Sequence, residues 1–154
     1  MKAIFHAMFG SLVLALIFLF FTSSLVADFW YTQDVISSVK SLILQGFFWL
    51  IPMLVITGFL GLSLAKFRQG RMIESKKKRM LWILLICIVI LLPAAYRLNS
   101  SAQRGEFDIV YSVVQSIEYL FDLITLTLLG LNFRDGVKLV SRESMSPNDR
   151  EINS

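Results

Sequence analysis

A chain of 154 residues with one cysteine and one histidine has few routes to chemistry. Cys87 has no partner for an internal disulfide and no second thiol for a CxxC pair; inside an apolar run it reads as a packed thiol. One histidine excludes a bis-histidine haem within a single chain. A cytochrome b-like haem would need ligands beyond His6, either the His6 of a second protomer or a group that is not histidine. No zinc set exists, because Cys87 and His6 fall on separate segments at different depths, so no metal site is expected. GxGxxG, P-loop and GxSxG patterns are missing, and Ser23 and Ser24 have no base nearby in the sequence. No familiar catalytic set remains. Charge is scarce as well: Asp, Glu, Lys and Arg make up 17% of the chain, against about a quarter in soluble domains.

What is abundant is apolar surface. The chain is 56% hydrophobic and 13% aromatic, with a mean hydropathy of +0.68. A membrane-spanning helix needs roughly 20 mostly apolar residues. Ala7 to Ala27, Ser41 to Ala65 and Met80 to Tyr96 carry no charge, and Ile109 to Leu131 carries only Glu118 and Asp122. The pattern predicts an all-α, polytopic membrane protein with spans near 5–27, 41–66, 79–97 and 108–132. Residues 1–142 form one transmembrane domain, and 143–154 a polar, disordered cytoplasmic tail. Lys2 and the "SSLVADF" stretch loosely resemble a signal peptide. The first apolar run is too long for an h-region, and Leu25 is too bulky before a cleavage site, so it reads as a true span.

Orientation follows the basic residues. The loop 66–79 holds Lys66, Arg68, Arg71, Lys76, Lys77, Lys78 and Arg79; with Lys2, Arg134, Lys138, Arg142 and Arg150, one side carries 12 of the 15 Lys and Arg residues. Only Lys40, Arg97 and Arg104 fall on the other. Both termini and loop 66–79 are expected in the cytoplasm, with the loop against anionic headgroups. The pI of about 9.4 does not signal nucleic acid, because the basic residues are not interleaved with stacking aromatics on one face. Trp30, Tyr31, Tyr96 and Phe107 suit the outer interface. Connections of roughly 13 residues favour an antiparallel up-down-up-down four-helix bundle. Ala7, Ser11 and Ala15 in the first span, and Thr57, Gly58, Gly61 and Ala65 in the second, are candidate close-packing faces. Pro52 and Pro93 are expected to kink their helices, each freeing a carbonyl.

The fourth span carries the one polar pattern. Tyr111, Gln115, Glu118, Asp122 and Thr125 are spaced 4, 3, 4 and 3 apart, within about 80° of arc on a helix. This stripe should face the bundle interior or a partner subunit. A rise of 1.5 Å per residue puts Glu118 about 15 Å below Phe107 and Asp122 about 6 Å deeper. Charged acids at that depth are costly and are functional candidates by default; two of them one turn apart should leave at least one holding a proton. Gln115, Thr57, Tyr111 and the carbonyl freed by Pro52 are candidate partners. Lys40 and Arg97 fall at the outer rim, too shallow to sit level with the acids, so the stripe is expected to lack a cation at its own depth. His6 approaches from the cytoplasmic end and could pair with Asp122 if the first and fourth helices adjoin.

The segments Leu92–Ala95, Ala102–Asp108, Tyr111–Glu118 and Gly130–Gly136, together with "HAMFGS" and "LIPMLVITGFLG", give the pattern LPAA, AxxGxFD, YxxVQxxE and GLNxRDG. This resembles a group of small four-span bacterial inner-membrane proteins of unassigned activity. More distantly the chain looks like the copper-resistance D and cytochrome b561-like four-helix membrane families, whose several haem-ligating histidines it lacks. The resemblance implies a multi-pass location in the bacterial inner membrane and marks Gln115, Glu118, Asn132, Arg134 and Asp135 as positions to watch. "NFRDG" also reads as a cytoplasmic turn at a helix exit. Three functions remain: a non-enzymatic accessory or assembly subunit acting on a membrane-protein partner or as a homo-oligomer, a proton- or ion-coupled element using Glu118 and Asp122, or a haem- or quinone-binding redox module.

Overall fold

The computed structural model describes the backbone of residues 2–65 and 71–144, and the side chains of 8–61 and 74–135. The helices are α1 (Lys2–Trp30), α2 (Gln33–Ala65), α3 (Arg71–Ile86), α4 (Leu92–Gln103) and α5 (Ile109–Ser144); a π-helical turn, Cys87–Leu91, joins α3 to α4 into one rod. No strand occurs among the described residues. Four segments, Met8–Trp30, Gln33–Gly61, Glu74–Gln103 and Ile109–Asp135, are long and apolar enough to cross a membrane. α1 packs on α2 and α5, and the α3–α4 rod packs on α2 and α5, which closes a ring of four.

The helices run further than the uncharged stretches that announce them. α1 ends at Trp30 and α2 starts at Gln33, so only two residues join them, where a loop of roughly 13 was expected. The reason is that Asp28, Asp34 and Lys40 are accommodated inside the helices rather than left in a loop. At the far end of α4, Gly105 takes a positive φ of 70°, which reverses the chain. Asp108 then caps α5 by accepting the Tyr111 backbone N–H at 2.8 Å.

Neither proline breaks its helix. Pro52 lies on the outer face of α2, which remains one helix through it. The carbonyl that a proline frees is four residues back; here it belongs to Phe48, which is 84% exposed, so it does not serve the interior stripe. Pro93 falls in the first turn of α4, just past the π turn, where Leu92 N–H bonds back to the Cys87 carbonyl. A missing N–H costs least at a helix start, and the widened turn absorbs the ring.

The core has two apolar layers. The larger joins Val13 and Ile17 of α1, Ile43, Phe47, Leu50 and Leu54 of α2, Ile83, Ile86, Cys87 and Leu91 of the third rod, and Leu129 of α5. A smaller one, at the end of the bundle where α1 turns into α2 and α4 into α5, joins Ala27, Ile36, Leu98, Ala102 and Tyr111. α1 and α2 meet tightly at Gly46, where an added Cβ would stand 2.2 Å from the Phe20 ring. That ring is held against Phe47, with centroids 5.8 Å apart. The Ala7–Ser11–Ala15 face is turned away from this contact: Ser11 and Ala15 are exposed, and the Ala7 side chain lies outside the described residues. Gly46→Ala should therefore cost about 1–2 kcal/mol through overpacking. Gly130→Ala, which meets nothing within 4 Å, should cost nothing; thermal unfolding in detergent compares the two.

Candidate functional site

The stripe on α5 is buried along its whole length. Tyr111 is 7% exposed, Gln115 6%, Glu118 3%, Asp122 5% and Thr125 0%. Its 4-3-4-3 spacing turns all five inward, and Leu129 continues the line. α2 presents a matching line of Ile36, Lys40, Ile43, Phe47, Leu50, Leu54 and Thr57, all buried. Seven residues into α2, on its core seam, that line contains a lysine.

Lys40 is 1% exposed and supplies the cation the stripe was expected to lack. Its ammonium donates to Glu118 Oε2 at 3.1 Å, to Ser24 Oγ and to Gln115 Oε1. An ammonium has three donors, so three acceptors satisfy it fully. Asp28 Oδ2 stands 3.6 Å away as a second carboxylate. Gln115 Nε2 donates to Glu118 Oε2 at 2.8 Å, which fixes its amide orientation. Asp28 accepts a phenol from each of two tyrosines, Tyr119 at 2.6 Å and Tyr111 at 3.2 Å. The network thus ties α1, α2 and α5 together between the two apolar layers. Burying an ion pair repays its desolvation only when the remaining donors and acceptors are filled, and here Ser24, Gln115 and the tyrosines fill them.

The expectation of a stripe without a cation at its own depth is corrected. Taking the second span to begin after Lys40 placed that residue at the rim, whereas α2 begins at Gln33 and Lys40 lies two turns inside it. Ile36, Lys40, Ile43 and Phe47 keep the same 4-3-4 spacing as the α5 stripe, the signal that could have placed Lys40 in the interior. Ser24, Asp28 and Tyr119 gave no such signal. Arg97, the other candidate cation, is exposed.

Asp122 is different from its neighbours. It has no hydrogen bond or ion pair among the described residues, although it is 95% buried and lies one turn from Glu118. Thr125 does not serve it, bonding instead to the Phe121 carbonyl of its own helix at 2.7 Å. Thr57, named with the candidate partners, bonds to the Met53 carbonyl at 2.7 Å. α1 and α5 do adjoin, but the His6 side chain lies outside the described residues, as do residues 66–70 of the basic loop and 145–154 of the tail. No group of three metal-holding side chains occurs among the described residues.

At the other end of α5, Asn132, Arg134 and Asp135 do not form the expected turn, since the helix continues to Ser144. The physical reason is a second cross-helix ion pair. Asp135, 5% exposed, accepts Arg79 Nη2 of α3 at 2.8 Å, with Arg134 Nη2 3.6 Å from its other oxygen. An acidic residue so neutralised need not stop a helix, and Gly136 is carried inside it.

The fold and site define a class: an all-helical chain with four helices suited to crossing a membrane and a charged layer sealed between two apolar ones. Compared with protein-family models, curated proteins and solved structures, the chain finds no match.

Proposed function

We propose that this is a multi-pass protein of the bacterial inner membrane, an antiparallel four-helix bundle with both termini cytoplasmic, acting as a non-enzymatic accessory subunit through its outer helix faces. The observation that carries this reading is where the polar groups go. The lysine–carboxylate layer lies inside the bundle, while Phe18, Phe48, Trp49, Phe59 and Trp82 are all at least 60% exposed. Such an exterior is suited to hydrocarbon or another apolar protein surface. The two-residue α1–α2 link supports antiparallel neighbours, and the excess of Lys and Arg in segment 66–79, which runs into α3, and in the C-terminal segment supports the orientation.

A shallow groove between α1 and α5, lined by Ser11, Leu14, Ala15, Phe18, Leu126 and Thr127, brings small side chains to the surface, as close helix association in a membrane requires. Two measurements test the reading. With Cys87 buried, an impermeant maleimide applied to intact cells should label Thr32→Cys and spare Lys78→Cys. A photo-crosslinker at Ala15 should capture one defined membrane protein or a second copy of the chain, whereas one at Phe48 should capture lipid. Equal lipid capture at both would remove the accessory role, and labelling of Lys78→Cys would reverse the topology.

A further inference from the structure

The buried layer does not balance its charges. Among the described residues, three carboxylates, Asp28, Glu118 and Asp122, face one ammonium, Lys40. Asp28 is eased by two phenol donors and a side chain 14% exposed. Glu118 has Lys40, Ser24 and Gln115. Asp122 has no polar partner of this kind among the described residues, yet it is 5% exposed. A bare buried carboxylate costs far more than a hydrogen bond returns, and such a group neutralises rather than remain charged. With one proton on Asp122, the sealed trio of Lys40, Glu118 and Asp122 is neutral. Without it, the trio carries an uncompensated negative charge in the apolar middle of the bundle.

We propose that Asp122 is a proton-binding site inside the bundle, reached from the outer end through Asp28, Lys40 and Glu118. This extends the membrane reading above, on which it rests. Among the described residues, the elements packed around Asp122 contribute few titratable groups: Asp28 from α1, Lys40 from α2, Cys87 from the π turn, and Tyr111, Glu118 and Tyr119 from α5. The polar groups descend in order, from Asp28 at the end of α1, to Lys40 at 3.6 Å, to Glu118 at 3.1 Å, with Asp122 one turn further. In the transfer, Lys40 gives one N–H proton to a Glu118 oxygen and regains one from a protonated Asp28. Glu118 then passes the proton to an Asp122 oxygen through one intervening water, because no direct hydrogen bond joins the two carboxyls. The net change is one proton moved from outer water to Asp122, with Lys40 and Glu118 returned to their starting states. A proton suits the site better than a metal ion, because a cation such as Na⁺ needs several oxygen ligands, whereas Glu118 Oε2, Ser24 Oγ and Gln115 Oε1 are already engaged by Lys40.

A hydrophobic carbodiimide tests this, because it adds to protonated carboxyl groups in apolar surroundings and leaves a stable acylurea. Purified protein in vesicles of neutral lipid is treated across a pH series, and the modified residue is located by peptide mass spectrometry. The adduct is expected on Asp122, falling several-fold as pH rises, absent in Asp122→Asn, and slower to follow external pH in Asp28→Asn. An adduct on Glu118 instead, no adduct on the wild-type chain, or labelling independent of pH overturns the proposal. Suppression of labelling by Na⁺ at constant pH overturns it in favour of a metal ion. The wild-type map needs no variant to fold, and the maleimide topology test fails independently of it.

Discussion

Lys40→Met should destabilise the folded protein by about 3–5 kcal/mol, the usual cost of stranding one member of a buried ion pair. The reasoning rests on what is left behind rather than on what is removed. Methionine fills most of the lysine stem's volume, so the apolar layers at Ile36 and Ile43 keep their packing. Glu118, however, is left without its counter-ion at 3% exposure, held only by Ser24 at 3.4 Å and Gln115 at 2.8 Å; whether it stays charged or takes up a proton, the cost falls on the folded state. Gln115 and Ser24 also lose the ammonium that organises them. Adding Glu118→Gln to Lys40→Met should recover most of the loss, because a neutral amide still accepts from Gln115 and donates to Ser24. Chemical unfolding in mixed micelles, read by tryptophan fluorescence, measures the cycle. A Lys40→Met protein as stable as wild type would mean that Lys40 is not the counter-ion of Glu118. A double variant no better than the single would place the loss in packing. Lys40→Arg should be worse than its charge suggests, since a planar fork does not match three acceptors gathered around one ammonium.

How far this layer was legible in the sequence depends on the helix. On α5 the spacing of Tyr111, Gln115, Glu118, Asp122 and Thr125 was enough to place all five on one inward face, because polar residues stand out against aliphatic sequence. On α2 the same logic was masked. Lys40 is one polar residue in a line of apolar ones, and a rule that starts a span at its first uncharged residue removes it from the helix before its face can be considered. Composition finds apolar runs well, but a lysine whose stem is apolar and whose head has three partners belongs to the core without lengthening such a run. Asp28 and Tyr119 were harder still, since their roles depend on α1 and α5 being neighbours, a tertiary fact with no periodic trace. The small-residue face of α1 shows the converse: spacing located the stripe but not its neighbour, and Ser11 and Ala15 line a surface groove with α5 while Phe20 meets Gly46 of α2.

Arg79→Met should cost about 1.5–3 kcal/mol, the range for a hydrogen bond to a charged group that leaves its partner buried. Asp135 is 5% exposed, and without the 2.8 Å Arg79 contact it keeps only Arg134 at 3.6 Å, whose side chain is 61% exposed and therefore water-screened. Asp135→Asn added to Arg79→Met should restore most of the loss, and exchanging the pair as Arg79→Asp with Asp135→Arg should restore part of it. This clasp joins the α3 end of the third rod to α5, while the Lys40 network joins α2 to α5. α5 is therefore held by charge at both ends of its buried face, with Leu129 and the apolar core between. Seventeen residues separate Glu118 from Asp135, about 25 Å along the helix, well beyond the range at which substitutions couple. If the two clasps are independent, the losses from Lys40→Met and Arg79→Met add in the double variant. A smaller combined loss would mean that α5 loosens as one body once either end is released, so that each clasp matters chiefly because the other is in place.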